Sequence, residues 1–126
     1  MNMTIERAIA EADSLQGGNK YDTKIKISWL SRLDMMIADQ IIRKHEDGKN
    51  FKFEGYDEDA SGDTELLVPE PYANLYILWI LSQINLHNQD YERYNNSMTS
   101  FYSAYESYAE HYNREHTPIK HLIKVF

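Results

Sequence analysis

Cysteine is absent from the 126 residues. Its absence excludes disulfide frameworks, thiolate zinc sites, iron–sulfur ligation and cysteine nucleophiles together. Long apolar runs are missing too. The longest, residues 75–81, falls well short of the about 20 residues a membrane-crossing helix needs, so no membrane partner is expected. Residues 1–15 carry Glu6, Arg7, Glu11 and Asp13 and no apolar run of signal-peptide length, which sets the expectation of a soluble protein made in a cytoplasm. Basic charge is scarce: 13 Lys and Arg stand against 20 Asp and Glu, for a formal net charge of -7. A nucleic-acid binder normally shows the opposite, a basic face. A chain of this length forms one domain that buries roughly two-thirds of its unfolded surface, so no metal or other staple is required.

The acidity belongs to one stretch. Residues 1–46 hold seven acids and seven bases, residues 47–70 eight and two, and residues 71–126 five and four. The middle stretch also holds Gly48, Gly55, Gly62 and Pro69 and lacks helical periodicity. It reads as a long acidic loop between two helical halves, with room for a short β-hairpin from strands at 51–53 and 66–68.

Four helices flank it. Ile5, Ala8, Ile9, Ala12 and Leu15 recur at helical steps behind a cap at Thr4 and end before Gly17-Gly18-Asn19. Asp22 or Thr23 caps a second helix reaching about His45, whose stripe Ile25, Trp29, Leu33, Ile37 and Ile41 is widened by Leu30, Met36 and Ile42. Pro69 and Pro71 straddle the next boundary, and residues 72–86 are apolar on nearly every side, as a central buried helix should be. After a turn at Asn88-Gln89-Asp90, a long helix runs to about Glu115. Its seam of Tyr91, Tyr94, Met98, Phe101, Tyr105, Tyr108 and Tyr112 steps alternately by three and four residues, opposite a polar face of Glu92, Asn95, Asn96, Thr99, Ser103 and Glu106. Such a seam packs on a neighbouring helix, and tyrosine rings with one wet end also suit a subunit interface. Pro118 ends the helix. Residues 119–126 that follow are five-eighths apolar, a tail suited to folding back on its domain or to joining a partner. The expected fold is therefore all-α: a four-to-five-helix bundle over residues 1–116, the acidic loop at 47–70 between helices 2 and 3, and an extended arm at 117–126.

Candidate chemistry is thin. Asp57-Glu58-Asp59-Ala60-Ser61-Gly62 matches the opening of a calcium loop, but position twelve is Val68 instead of Glu and position eight is Thr64, so only half the loop is present. His111, His116 and His121 are spaced five apart, which does not put ligands on one helical face, and the five histidines read as surface or interface residues. No nucleophile elbow surrounds Ser28, Ser31, Ser82 or Ser97, and Gly17-Gly18-Asn19-Lys20 follows a helix instead of the strand that a phosphate loop requires. Glu6, Glu11, Asp34 and Asp39 lack the spacing of a di-iron set and read as solvated helical acids. No catalytic residues, cofactor or metal are expected, and the chain is not expected to be an enzyme.

Leu66-Leu67-Val68-Pro69-Glu70-Pro71-Tyr72 with Leu75-Tyr76, and Asn88-Gln89-Asp90-Tyr91-Glu92-Arg93-Tyr94-Asn95-Asn96-Ser97-Met98, are joined by Lys24-Ile25-Lys26-Ile27-Ser28-Trp29-Leu30-Ser31-Arg32-Leu33-Asp34, His45-Glu46 and Tyr112-Asn113-Arg114-Glu115-His116. Together, and in that order from about Tyr21 to His116, they resemble the small helical head–tail connector, or neck adaptor, proteins of long-tailed bacteriophages and Firmicutes prophages. The resemblance implies a virion protein of the neck, made in the bacterial cytoplasm, that forms a ring of commonly twelve subunits. That ring binds the portal protein on one side and the stopper, head-completion or tail-joining protein on the other. It implies no cofactor, and DNA passes nearby without specific binding. Carried onto this chain, Ile119, Leu122, Ile123, Val125 and Phe126 would belong to a portal-binding arm, and Asp57, Glu58, Asp59, Asp63 and Glu65 to a projecting acidic loop. The alternative is a non-enzymatic cytoplasmic helical binding or regulatory module encoded by a phage or prophage.

An acidic loop facing a DNA channel would repel the passing phosphate backbone; facing outward, it would serve solubility. Neither role calls for calcium. A calorimetric titration with calcium at low millimolar concentration is expected to show no heat of binding, and a saturable heat would restore the calcium-loop reading.

Overall fold

The computed structural model describes residues 2–119. The chain is mostly helical, but it is not all-α, because a two-stranded antiparallel sheet joins its beginning to its middle. Strand β1 (Asn2–Thr4) runs directly into α1 (Ile5–Leu15). Thr4 caps that helix, its side chain accepting from the Arg7 N–H at 3.2 Å. The N–H groups of Ile5 and Glu6 donate to the carbonyls of Thr64 and Gly62, so three of the donors left orphaned at a helix start are satisfied. Ile5, Ala8, Ile9 and Ala12 are buried, while Leu15, expected on the same stripe, is exposed.

Asp22 caps α2 (Thr23–Gln40), accepting from the Ile25 N–H at 2.9 Å. Trp29, Leu30, Leu33, Ile37 and Ile41 are buried as the stripe requires, but Ile25 at its start is exposed. The helix also ends earlier than the expected His45. The chain tightens into two 3-10 turns, Ile42–Lys44 and Glu46–Gly48, in which the amides of Lys44 and His45 reach back three residues instead of four. This folding back brings Gly48 against the Ile42 carbonyl. A Cβ on Gly48 would lie 2.3 Å from that oxygen, so only glycine fits.

The expected hairpin does not form. Strand β2 (Glu65–Pro69) covers the second of the two expected strands, but its partner is β1, with Asn2 opposite Pro69, Thr4 opposite Glu65 and an irregularity between them. Phe51 and Phe53 are not in a strand. Their carbonyls accept from the Arg43 guanidinium at 2.9 and 3.4 Å, which occupies the groups a ladder would have used. Gly55, at φ 97°, lets this segment approach α2 where a Cβ would meet Ser31 and Met35.

After the cis Glu70–Pro71 peptide, α3 (Asn74–His87) is the central element, touching α1, α2 and α4. Its buried set includes Leu75, Tyr76, Ile77, Ile80 and Ile84, in line with the near-continuous apolar character of its sequence. Asp90 caps α4 (Tyr91–Glu115), which returns antiparallel along α3, as the facing of Asn85 with Ser97, Trp79 with Phe101 and Tyr72 with Tyr108 shows. At 1.5 Å per residue α4 is about 37 Å long and α3 about 21 Å, so the later half of α4 runs past its neighbour onto the 3-10 turns. Among the described residues no helix is long and apolar enough to cross a membrane.

Gly48→Ala is expected to cost about 1–3 kcal/mol by forcing the two turns apart. In urea titrations this should appear as a lowered midpoint with an unchanged slope.

Candidate functional site

Asp34 sits on the α2 face that carries Leu30, Leu33 and Ile37 and is fully buried. The expectation that it would be a solvated helical acid is thus overturned. A carboxylate cut off from water must be met by donors, and three reach it. The Tyr76 hydroxyl from α3 donates to Oδ1 at 2.6 Å, and the Leu67 N–H of β2 donates to Oδ2 at 3.0 Å. The Tyr56 hydroxyl also donates to Oδ2. The Tyr76 oxygen in turn accepts the Val68 N–H at 2.7 Å. Burial outweighs these donors and holds the Asp34 carboxyl up at about 6. Burial, followed by the Asp34 charge, pushes the phenols of Tyr56 and Tyr76 well above their ordinary value.

Through Tyr56 this network ties down the segment expected to project. The Tyr56 N–H also donates to the Ser31 hydroxyl, and Ala60 packs on the core. The segment therefore lies along α1 and α2, and the projecting-loop expectation is corrected: Asp57, Glu58, Asp59, Asp63 and Glu65 are exposed side chains on a backbone laid against the body. Two of them, Glu58 and Asp59, approach Lys24 at 3.7 and 3.4 Å. Asp57 and Asp63 are used locally, accepting from the Asp59 N–H and the Ser61 hydroxyl. No group of three or more His, Asp or Glu is placed to hold a metal ion among the described residues.

A second cluster surrounds the root of the expected arm. His45, read from sequence as a surface or interface residue, is buried. Its Nδ1 lies 2.6 Å from the Ile41 carbonyl and its Nε2 2.6 Å from Asn113 Oδ1. The Tyr112 ring meets His45 edge-on at 4.7 Å and stacks on His116 at 3.8 Å, and His116 Nδ1 lies 2.7 Å from Asp47 Oδ2. Between these rings the backbone pairs across His45 and Pro118: the Glu46 N–H donates to the Thr117 carbonyl at 2.8 Å and the Ile119 N–H to the Lys44 carbonyl at 2.9 Å. Ile119 is half-buried. The other arm residues named from sequence, Leu122, Ile123, Val125 and Phe126, lie outside the described residues.

The tyrosine seam is graded along α4. Phe101 and Tyr108 are buried; Tyr94, Met98, Tyr105 and Tyr112 are half-buried; Tyr91 is 58% exposed and leaves the seam open at its start. Tyr105 spends its hydroxyl on Gln40 Oε1 at 2.6 Å. Burial raises the phenols of Tyr105, Tyr108 and Tyr112. Beneath the seam's later half, an open groove of about 720 Å³ runs between α4 and the 3-10 turns, with Leu67 and Pro69 of β2 at its edge.

Sequence reading missed Asp34, Tyr56, Tyr76 and His45. For Asp34 a signal existed, because it stands one residue after Leu33 and three before Ile37 on the buried stripe. His45 lies in an irregular turn, where no periodicity could mark it. Comparison with family models, curated proteins and solved structures finds no match for this chain.

Tyr56→Phe removes one donor to a buried charge. It should cost about 2 kcal/mol and speed amide exchange across residues 52–60. The raised Asp34 carboxyl means that the folded chain holds this proton more tightly than the unfolded chain, so its contribution favours folding at low pH and declines between about 3.8 and about 6. Asp34→Asn does not titrate there. The stability of the native chain relative to that variant is therefore expected to fall by roughly 2 kcal/mol between pH 4 and pH 7.5 in urea titrations.

Proposed function

We propose that this chain is a structural adaptor of a bacteriophage neck: a helical bundle whose copies form a ring, twelve by the resemblance, between the portal and the stopper or tail. The observation that carries this reading is the ordered resemblance over residues 21–116. The structure supports it by giving those stretches a common purpose. Residues that look chemically unremarkable in sequence converge on two places: Asp34, Leu67, Val68 and Tyr76 on the buried carboxylate, and His45, Tyr112, Asn113 and His116 on the arm root. They serve the fold and the exit of the tail, as suits a protein whose work is assembly and not catalysis.

In this reading the body presents α4 to its neighbours in the ring, and residues 117–126 form the arm that reaches the portal. The arm's first residues are held by backbone pairing to residues 44–46, which gives it a fixed point of departure. The exposed acids at 57–65 keep the surface from adhering to DNA during its passage. The virion neck is the site of action, reached from the bacterial cytoplasm.

Electron microscopy of the chain mixed with a portal protein from the same phage or prophage tests this. An added ring on the portal is expected, and a chain ending at residue 119 should lose it while keeping its helical circular dichroism. Undiminished decoration by the shortened chain would refute the arm assignment. No decoration by the full chain would refute the adaptor reading in favour of a helical binding module with another partner.

A further inference from the structure

The groove between α4 and the 3-10 turns is open to solvent, and the described chain ends near it, at Ile119. Ile42, Phe51, Leu67 and Tyr108 form its apolar surface, and Glu46 and Asp47 stand on its edge. Ile119 is hydrogen-bonded to Lys44 and Thr117 to Glu46, so the last described residues are fastened within two positions of groove residues Ile42 and Glu46. The next seven residues hold Leu122, Ile123, Val125 and Phe126 together with Lys120 and Lys124, and no acid. Fully extended they span at most about 25 Å, enough to lie along the groove from that anchor. Their apolar side chains match its surface; Glu46 and Asp47 at the edge already lie 3.6 Å from Lys49 and 2.7 Å from His116, so the match rests on the apolar contacts.

We propose that residues 120–126 dock into this groove of their own chain, covering its apolar surface until a partner takes the tail. Tethering makes this favourable with only a few contacts, because the segment begins at the groove and its effective concentration there is high. Docking is therefore a latch: the surface that any partner of the tail would bind is first engaged in cis. It goes beyond the neck assignment and does not depend on it, since the free chain would show it whatever the final partner is.

The absence of cysteine gives a direct test. A nitroxide on the single thiol of Val125→Cys, six residues beyond the Ile119 anchor, reports where the far end of the tail spends its time in the full-length chain. Docking predicts that the amide signals of Phe51, Tyr108 and Tyr112 lose more than half their intensity, and that Leu122→Asp with Phe126→Asp restores them. Unchanged far-ultraviolet circular dichroism of these variants checks that the helical body is intact. Broadening confined to residues next to Ile119, or indifferent to the aspartates, means a free tail and overturns the proposal. Mixing isotope-labelled chain without nitroxide and unlabelled chain bearing it separates the remaining case: groove broadening in that mixture assigns the occupant to a second copy and likewise overturns docking in cis. Failure of either kind leaves the portal experiment unaffected.

Discussion

A carboxylate with no access to water organises this protein. Asp34 must be surrounded by donors, and its three donors come from three separate parts of the chain: Tyr56 from the acidic segment, Leu67 from β2 and Tyr76 from α3. Each requirement therefore also fixes the position of an element against α2. The Tyr76 hydroxyl passes the constraint on by accepting the Val68 N–H, so that successive amides of β2 are both committed to the same buried cluster. The cluster explains why an acid-rich segment lies flat on the body. Its charged side chains stay in water while one tyrosine reaches inward to a charge that needs it.

The other end of the molecule is governed by α4. It outruns α3, and its later turns pack against the compact double turn that follows α2. Gly48 allows that double turn to close, His45 fills it, and Tyr112 and His116 cover it. The backbone pairing of residues 117–119 with 44–46 then depends on both the turn and the helix end. Leu67 joins the two regions: its amide serves Asp34 while its side chain borders the groove below Tyr108. A change at the buried carboxylate can thus be felt at the surface from which the tail departs. The integrity of the core is thereby coupled to the geometry at the root of the tail.

Much of the helical framework was legible in the residues. The caps at Thr4, Asp22 and Asp90, the apolar stripe of α2, the central burial of α3 and the span of α4 follow from local spacing. Errors arose where a backbone group had a partner remote in sequence. Phe51 and Phe53 have strand-forming composition, yet Arg43 claims their carbonyls. Residues 66–68 form a strand, as their composition predicts, but its partner is the short run before α1. Acids on helices usually face solvent, but the place of Asp34 on the apolar stripe points it inward.

By itself, then, the sequence determined where helices begin, where they stop and which faces are apolar, since capping and periodicity act over three or four residues. The concentration of acid in residues 47–70 was equally plain. Tertiary structure alone decided that β1 pairs with β2, that the acidic segment is fastened down, that His45 is buried and that the tail departs beside an apolar groove. Those outcomes depend on donors and acceptors finding one another across dozens of residues. A buried polar group sets such a pairing through the cost of leaving it unsatisfied, and that cost exists only once the chain has closed around it.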